Sequence, residues 1–82
     1  MPHFYFDSMV GDEAFTDDVG SEMADEATAQ REAEKALGEM TADDFAHGQP
    51  RIAQIWIRDD RGRLLLHLVS SLVVYRAPRT ND

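Results

Sequence analysis

The chain contains no cysteine. Disulfide cross-links, thiolate zinc sites, iron–sulfur clusters and cysteine nucleophiles are therefore excluded, and the apolar core alone must hold the fold. Long hydrophobic runs are missing too. The most apolar stretch, Leu64 to Tyr75, is interrupted by His67, Ser70 and Ser71, and it falls short of the roughly 20 residues a membrane-spanning helix needs. The opening Met1-Pro2-His3-Phe4-Tyr5-Phe6-Asp7 has neither the basic region nor the apolar stretch of a signal peptide. The expectation is a cytoplasmic protein with no membrane partner. Basic residues are scarce as well, 8 Lys and Arg against 16 Asp and Glu, for a net charge of −8. A protein that grips nucleic acid by its phosphates needs the opposite balance, so no nucleic-acid partner is expected.

What remains is a chain of 82 residues, 43% hydrophobic and 29% charged, a balance of globular rather than disordered sequences. At this size about 60% of the unfolded chain's surface is buried on folding, enough for one thin core and one domain. Residues 1–76 are read as that domain and 77–82 as a flexible C-terminal tail. Charge divides the chain in two: residues 1–46 carry 13 acids against Arg31 and Lys35, whereas residues 47–82 carry six arginines against three aspartates. Solvated faces account for such asymmetry, and so does attraction between the two parts of different molecules.

The pattern predicts α+β architecture, a small antiparallel sheet in the order β-β-α-β-β with one long helix packed on one face. Aromatic Phe4-Tyr5-Phe6 starts a strand over residues 3–9, with Phe4 and Phe6 on one face and Tyr5 and Asp7 on the other. Gly11-Asp12-Glu13 turns the chain, and Ala14 to Val19 returns as a weaker edge strand. Asp25 stands where a helix N-cap belongs, followed by an alanine-rich helix to about Phe45 whose buried stripe is Ala29, Ala33, Ala36, Leu37 and Met40. Gly38 inside it fits either a close helix–sheet approach or simple tolerance. Gly48 and Pro50 end the helix. Ile52–Arg58 and Arg63–Val69 then form a hairpin around the turn Asp59-Asp60-Arg61-Gly62. In its second arm Leu64, Leu66 and Leu68 alternate with Leu65, His67 and Val69, so both faces are apolar and both call for cover. One helix covers one face. The other is a candidate association surface, and Trp56, Leu66, Ile52, Val73 and Tyr75 are its candidate interface residues. Residues 70–76 either extend the last strand or form another, within the molecule or across a dimer.

Chemistry-bearing constellations are few. His3, His47 and His67 have no recognised ligand spacing, and His67 reads as a partly buried structural histidine, with His3 and His47 solvated. The acids Asp12, Glu13, Asp17, Asp18 and Glu22 lack the twelve-residue calcium-loop pattern and read as a solvated loop. No glycine-flanked serine elbow and no phosphate-cradling glycine cluster occurs. Arg58, Arg61 and Arg63 flank the hairpin turn and could grip an anion, although Asp59 and Asp60 balance them. No catalytic, cofactor-binding or metal-binding residue is expected, nor any cofactor.

The opening Met1-Pro2-His3-Phe4-Tyr5-Phe6-Asp7, the stretch Asp17-Asp18-Val19-Gly20-Ser21-Glu22 leading to Asp25, and the Ile55–Leu65 hairpin with its Asp-x-x-Gly turn resemble a family of short uncharacterised proteins of rhizobia and other alphaproteobacteria. The likeness runs from residue 2 to about residue 70. It implies a fold and a bacterial setting but no catalytic residues. A looser similarity is to HicB-type antitoxins, which place two strands after the first where this sequence shows one before the helix. Three functions follow in order: a non-catalytic interaction or regulatory module that self-associates as a dimer, an acidic antitoxin-like or nucleic-acid-mimicking inhibitor of a basic protein partner, and a ligand-binding or enzymatic domain with a site between subunits.

Overall fold

Side chains of Ala53–Arg58 alternate strictly between buried and half-buried, the signature of a strand with one face in the core. This strand sits at the centre of an antiparallel sheet. In the computed structural model, which describes residues 1–48 and 51–79, the elements are β1 (His3–Val10), β2 (Glu13–Phe15), β3 (Ser21–Glu22), α1 (Glu26–Ala46), β4 (Ala53–Arg58) and β5 (Leu64–Ser70). The sheet runs β2-β1-β4-β5, and β3 also pairs with β1. The fold is α+β with one long helix, and every strand pair is antiparallel.

The core lies between α1 and one face of the sheet. Phe4, Ala29, Ala33, Leu37, Ala53, Ile55 and Ile57 are buried there, with Phe6, Met40, Leu66 and Leu68 packed around them. Ala29, Ala33 and Leu37 follow one another at four-residue spacing, so they form a single stripe of the helix. Their small side chains bring the helix close to the strands but fill little of the sheet's width. Asp25 caps the helix, its carboxylate accepting the Thr28 amide at 2.7 Å. At the other end His47 is the C-cap and Gly48 adopts φ +68°, the left-handed geometry that stops a helix. The expected stop at Pro50 lies outside the described residues.

Three details depart from the sequence reading. The return strand expected over residues 14–19 is split into β2 and β3, which lie along the same edge of β1 and leave residues 16–20 looped out between them. The regular alternation expected in the hairpin breaks at a bulge: Ile57 faces Leu66 and Arg58 faces Leu64, so Leu65 is the extra residue. Leu65 therefore packs towards the core and Leu64 is exposed. Finally, a Cβ placed on Gly38 would meet nothing within 4 Å. Close helix–sheet approach does not explain that glycine.

Regular structure ends at Ser70, and residues 71–79 continue without helix or strand. Leu72, Val73, Val74 and Tyr75 in this arm are all more than half exposed. The resulting particle is elongated, 64 × 23 × 20 Å.

Candidate functional site

Because side chains alternate across the sheet, the face that α1 does not cover is fixed by register. Tyr5, Asp7 and Met9 of β1 stand opposite Arg58, Trp56 and Gln54 of β4, and His67 and Val69 of β5 continue the surface. It joins a buttressed polar cluster to an aromatic pair.

The cluster centres on Arg58. Its Nε donates to Asp7 at 2.6 Å, and one terminal nitrogen donates to Asp7 at 3.1 Å and to the Asp17 carbonyl at 3.2 Å. The guanidinium also lies 5.1 Å from the Tyr5 ring centre, a cation–π distance. Asp17 is the second anchor. Its carboxylate accepts backbone amides from Phe6 at 3.0 Å, Val19 at 3.1 Å and Gly20 at 2.9 Å, and its own amide donates to Asp7 at 2.9 Å. In the gap between β2 and β3 a side chain thus takes over the bond that a strand would have made. The Arg58 bonds, helped by the Asp17 amide, hold the Asp7 carboxyl below its ordinary range against its partial burial. For Asp17 burial pushes upward, but the amides of Gly20, Phe6 and Val19 outweigh it and the net shift is downward.

Gly20 completes the arrangement. It has φ +73°, and a Cβ there would lie 2.7 Å from the His3 ring and 2.9 Å from the Tyr5 ring. Only glycine suits both the backbone and the space. His3 bonds the Val19 carbonyl at 3.0 Å and is half-buried rather than solvated.

Trp56 and His67 stack face to face, centroids 4.6 Å apart and planes within 8°. His67 Nε2 bonds the Gln54 side chain at 2.8 Å. This histidine is exposed, not partly buried as its apolar neighbours suggested, because it stands on the uncovered face. Of the other residues expected at an interface, Ile52, just before β4, is 53% exposed, and Val73 and Tyr75 lie in the arm. Leu66 faces Ile57 and packs against the core on the helix side, across the sheet from Trp56. One flat surface cannot contain both.

The three arginines expected around the hairpin tip do not converge. Arg58 is committed to Asp7, and Arg63 to Asp59 at 2.8 Å. Asp59 also accepts the amides of Arg63 and Arg61, the former leading the effects that lower its pKa. The acidic loop is likewise not wholly solvated, since Asp17 is built into the sheet edge. A signal for this was present: Asp17-Asp18-Val19-Gly20 and Asp59-Asp60-Arg61-Gly62 share the pattern Asp-Asp-x-Gly. In both, the first aspartate accepts downstream amides and the glycine has positive φ.

Among the described residues no group of three or more His, Asp or Glu side chains could hold a metal ion. Among the described residues no helix is long and apolar enough to cross a membrane. Residues 3–71 match the family model described as a domain of unknown function (DUF6894). The chain belongs to this family. Comparison with curated proteins and with solved structures gives no match. The DUF6894 match takes in β1 to β5 entire and with them both the Asp7–Asp17–Arg58 cluster and the Trp56–His67 pair. It ends at Ser71, so most of the exposed arm lies beyond it.

Proposed function

We propose that this domain is a non-catalytic interaction module that associates with copies of itself, in a bacterial cytoplasmic setting. The observation that carries the reading is where exposed apolar side chains gather. Of the ten large apolar side chains that are more than half exposed among the described residues, Met1, Phe15, Val19 and Ile52 are scattered, whereas Leu64, Val69, Leu72, Val73, Val74 and Tyr75 belong to β5 or to the arm that leaves it. Four consecutive exposed apolar side chains, Leu72 to Tyr75, form the kind of continuous patch that marks an association site. The bacterial setting rests on the sequence resemblance. Light scattering across a dilution series tests the reading: a mass of twice 9.3 kDa at the concentrated end supports it, and a constant monomer mass overturns it.

A second reading has its own observation. Glu26, Glu32, Glu34 and Glu39 are exposed along α1, and they favour a basic protein partner. Binding to such a partner should weaken as salt rises, since exposed charges are screened beyond about 8 Å at physiological ionic strength. Salt-independent binding measured by calorimetry would rule this out.

A further inference from the structure

We propose that residues 71–76 of one copy add as an antiparallel strand to the open edge of β5 in a second copy, with Leu72 and Val74 entering the groove between β5 and α1. This rests on the self-association reading and names its surface and occupant.

Four observations converge on it. First, among the described residues β5 pairs with β4 alone, so its other side presents a row of backbone amides and carbonyls. Such edges are normally blunted by proline, lysine or short length. β5 has seven residues, Leu-Leu-Leu-His-Leu-Val-Ser, with neither proline nor lysine, and its bulge at Leu65 lies at the end far from Ser70. Second, a groove of about 440 Å³ runs beside that edge, lined by Gln30, Glu34, Leu37 and Gly38 of α1 and by Leu68 and Ser70 of β5. The space above Gly38 is open. Third, the arm starts where the groove ends, at Ser70, whose hydroxyl bonds Thr41 at 2.8 Å. It leaves β5 without a turn, and so is directed away from its own edge. Fourth, the arm is apolar and then basic, with Arg76 and Arg79 and no acid through residue 79, whereas the groove wall carries Glu34 on an acidic helix.

Symmetry makes the exchange reciprocal. Since the arm prolongs β5, a two-fold axis near Ser70 lays each arm on the other copy's β5, an isologous contact that closes on itself. Leu66, Leu68 and Ser70 face the helix side, as their partners Ile57, Ile55 and Ala53 do. Continued at the same period, Leu72 and Val74 fall on that side, and Val73 and Tyr75 on the side of Trp56 and His67. Directly opposed residues of an antiparallel pair share a face, so Leu72 comes opposite Leu68 of the second copy and Val74 opposite Leu66. The two sheets become one.

The test is the solution mass of the full chain and three variants, each with circular dichroism to confirm folding. Leu72→Asp/Val74→Asp alters only exposed arm residues and should halve the mass. Gly38→Gln puts a good helix former into the groove, so the helix is retained while the docking space is filled, and the mass should again halve. Trp56→Asp should leave the dimer intact. If the arm variant and Gly38→Gln remain dimeric while Trp56→Asp is monomeric, association occurs through the open sheet face. That outcome overturns the arm proposal and keeps the self-association reading. A wild-type chain that is monomeric at every concentration overturns both.

Discussion

Along the outer side of β1, two short strands and the Asp17 carboxylate occupy the edge, and even the Phe6 amide between them is bonded. Along the outer side of β5, seven residues stand without a neighbouring strand among the described residues and lead into an apolar arm. Both edges belong to one sheet of one small domain, and they solve the edge-strand problem in opposite ways. The first edge is closed by local chemistry that needs no other molecule. The second carries no strand among the described residues and is the edge to which the arm is proposed to add.

Substitutions at the two edges sharpen this contrast. The largest effect is expected for Asp17→Ala, which leaves the amides of Phe6, Val19 and Gly20 without their acceptor and exposes the β1 edge. A loss of about 2 kcal/mol is expected from urea unfolding, together with concentration-dependent aggregation through the unsealed strand. Gly20→Ala comes next, at about 1–2 kcal/mol, because it combines a positive φ with displacement of the His3 and Tyr5 rings. Unfolding midpoints of Gly20→Ala and Gly62→Ala separate these terms, since Gly62 has the same kind of φ but open space around it.

Acid should reveal the sealed edge as well. Asp7 and Asp17 have folded pKa values below their unfolded ones. Their contribution is therefore fully present above an unfolded value of about 3.9 and is lost as pH falls through the lower folded values. Unfolding free energy should drop below about pH 4, and less steeply in Asp17→Asn than in the wild type. A parallel profile in the variant would contradict the role given to Asp17. The smallest effect is a gain: Gly38→Ala should add about 1 kcal/mol, as helix propensity predicts where nothing opposes a methyl group. Loss of stability there would mean that the space over Gly38 is not free.

Much of the fold was legible in the residues. The Asp25 cap, the Ala29-Ala33-Leu37 stripe and the Asp59-Asp60-Arg61-Gly62 hairpin are local features whose signals lie within a few positions of one another. The split of the return strand was not legible, because it depends on Asp17 reaching the Phe6 amide eleven positions away. Nor was the pairing of Asp7 with Arg58, which are fifty-one positions apart and meet only once β1 lies beside β4. Leu66 was read as surface because the second hairpin arm is apolar on both sides. Only strand register assigns it to the helix side, and only the bulge at Leu65 separates Leu64 from it. The uncovered face could be anticipated from the presence of a single helix. Its polar cluster could not, since the acids that form it look like any solvated loop.

The decisive question is whether the arm becomes a strand when two copies meet. Amide hydrogen exchange of Leu72–Arg76, followed at low and high protein concentration, answers this. Protection of these amides, and of β5, should rise with concentration while the β2 and β3 edge stays unchanged. Arm amides that exchange as rapidly in the concentrated sample as in the dilute one would contradict it.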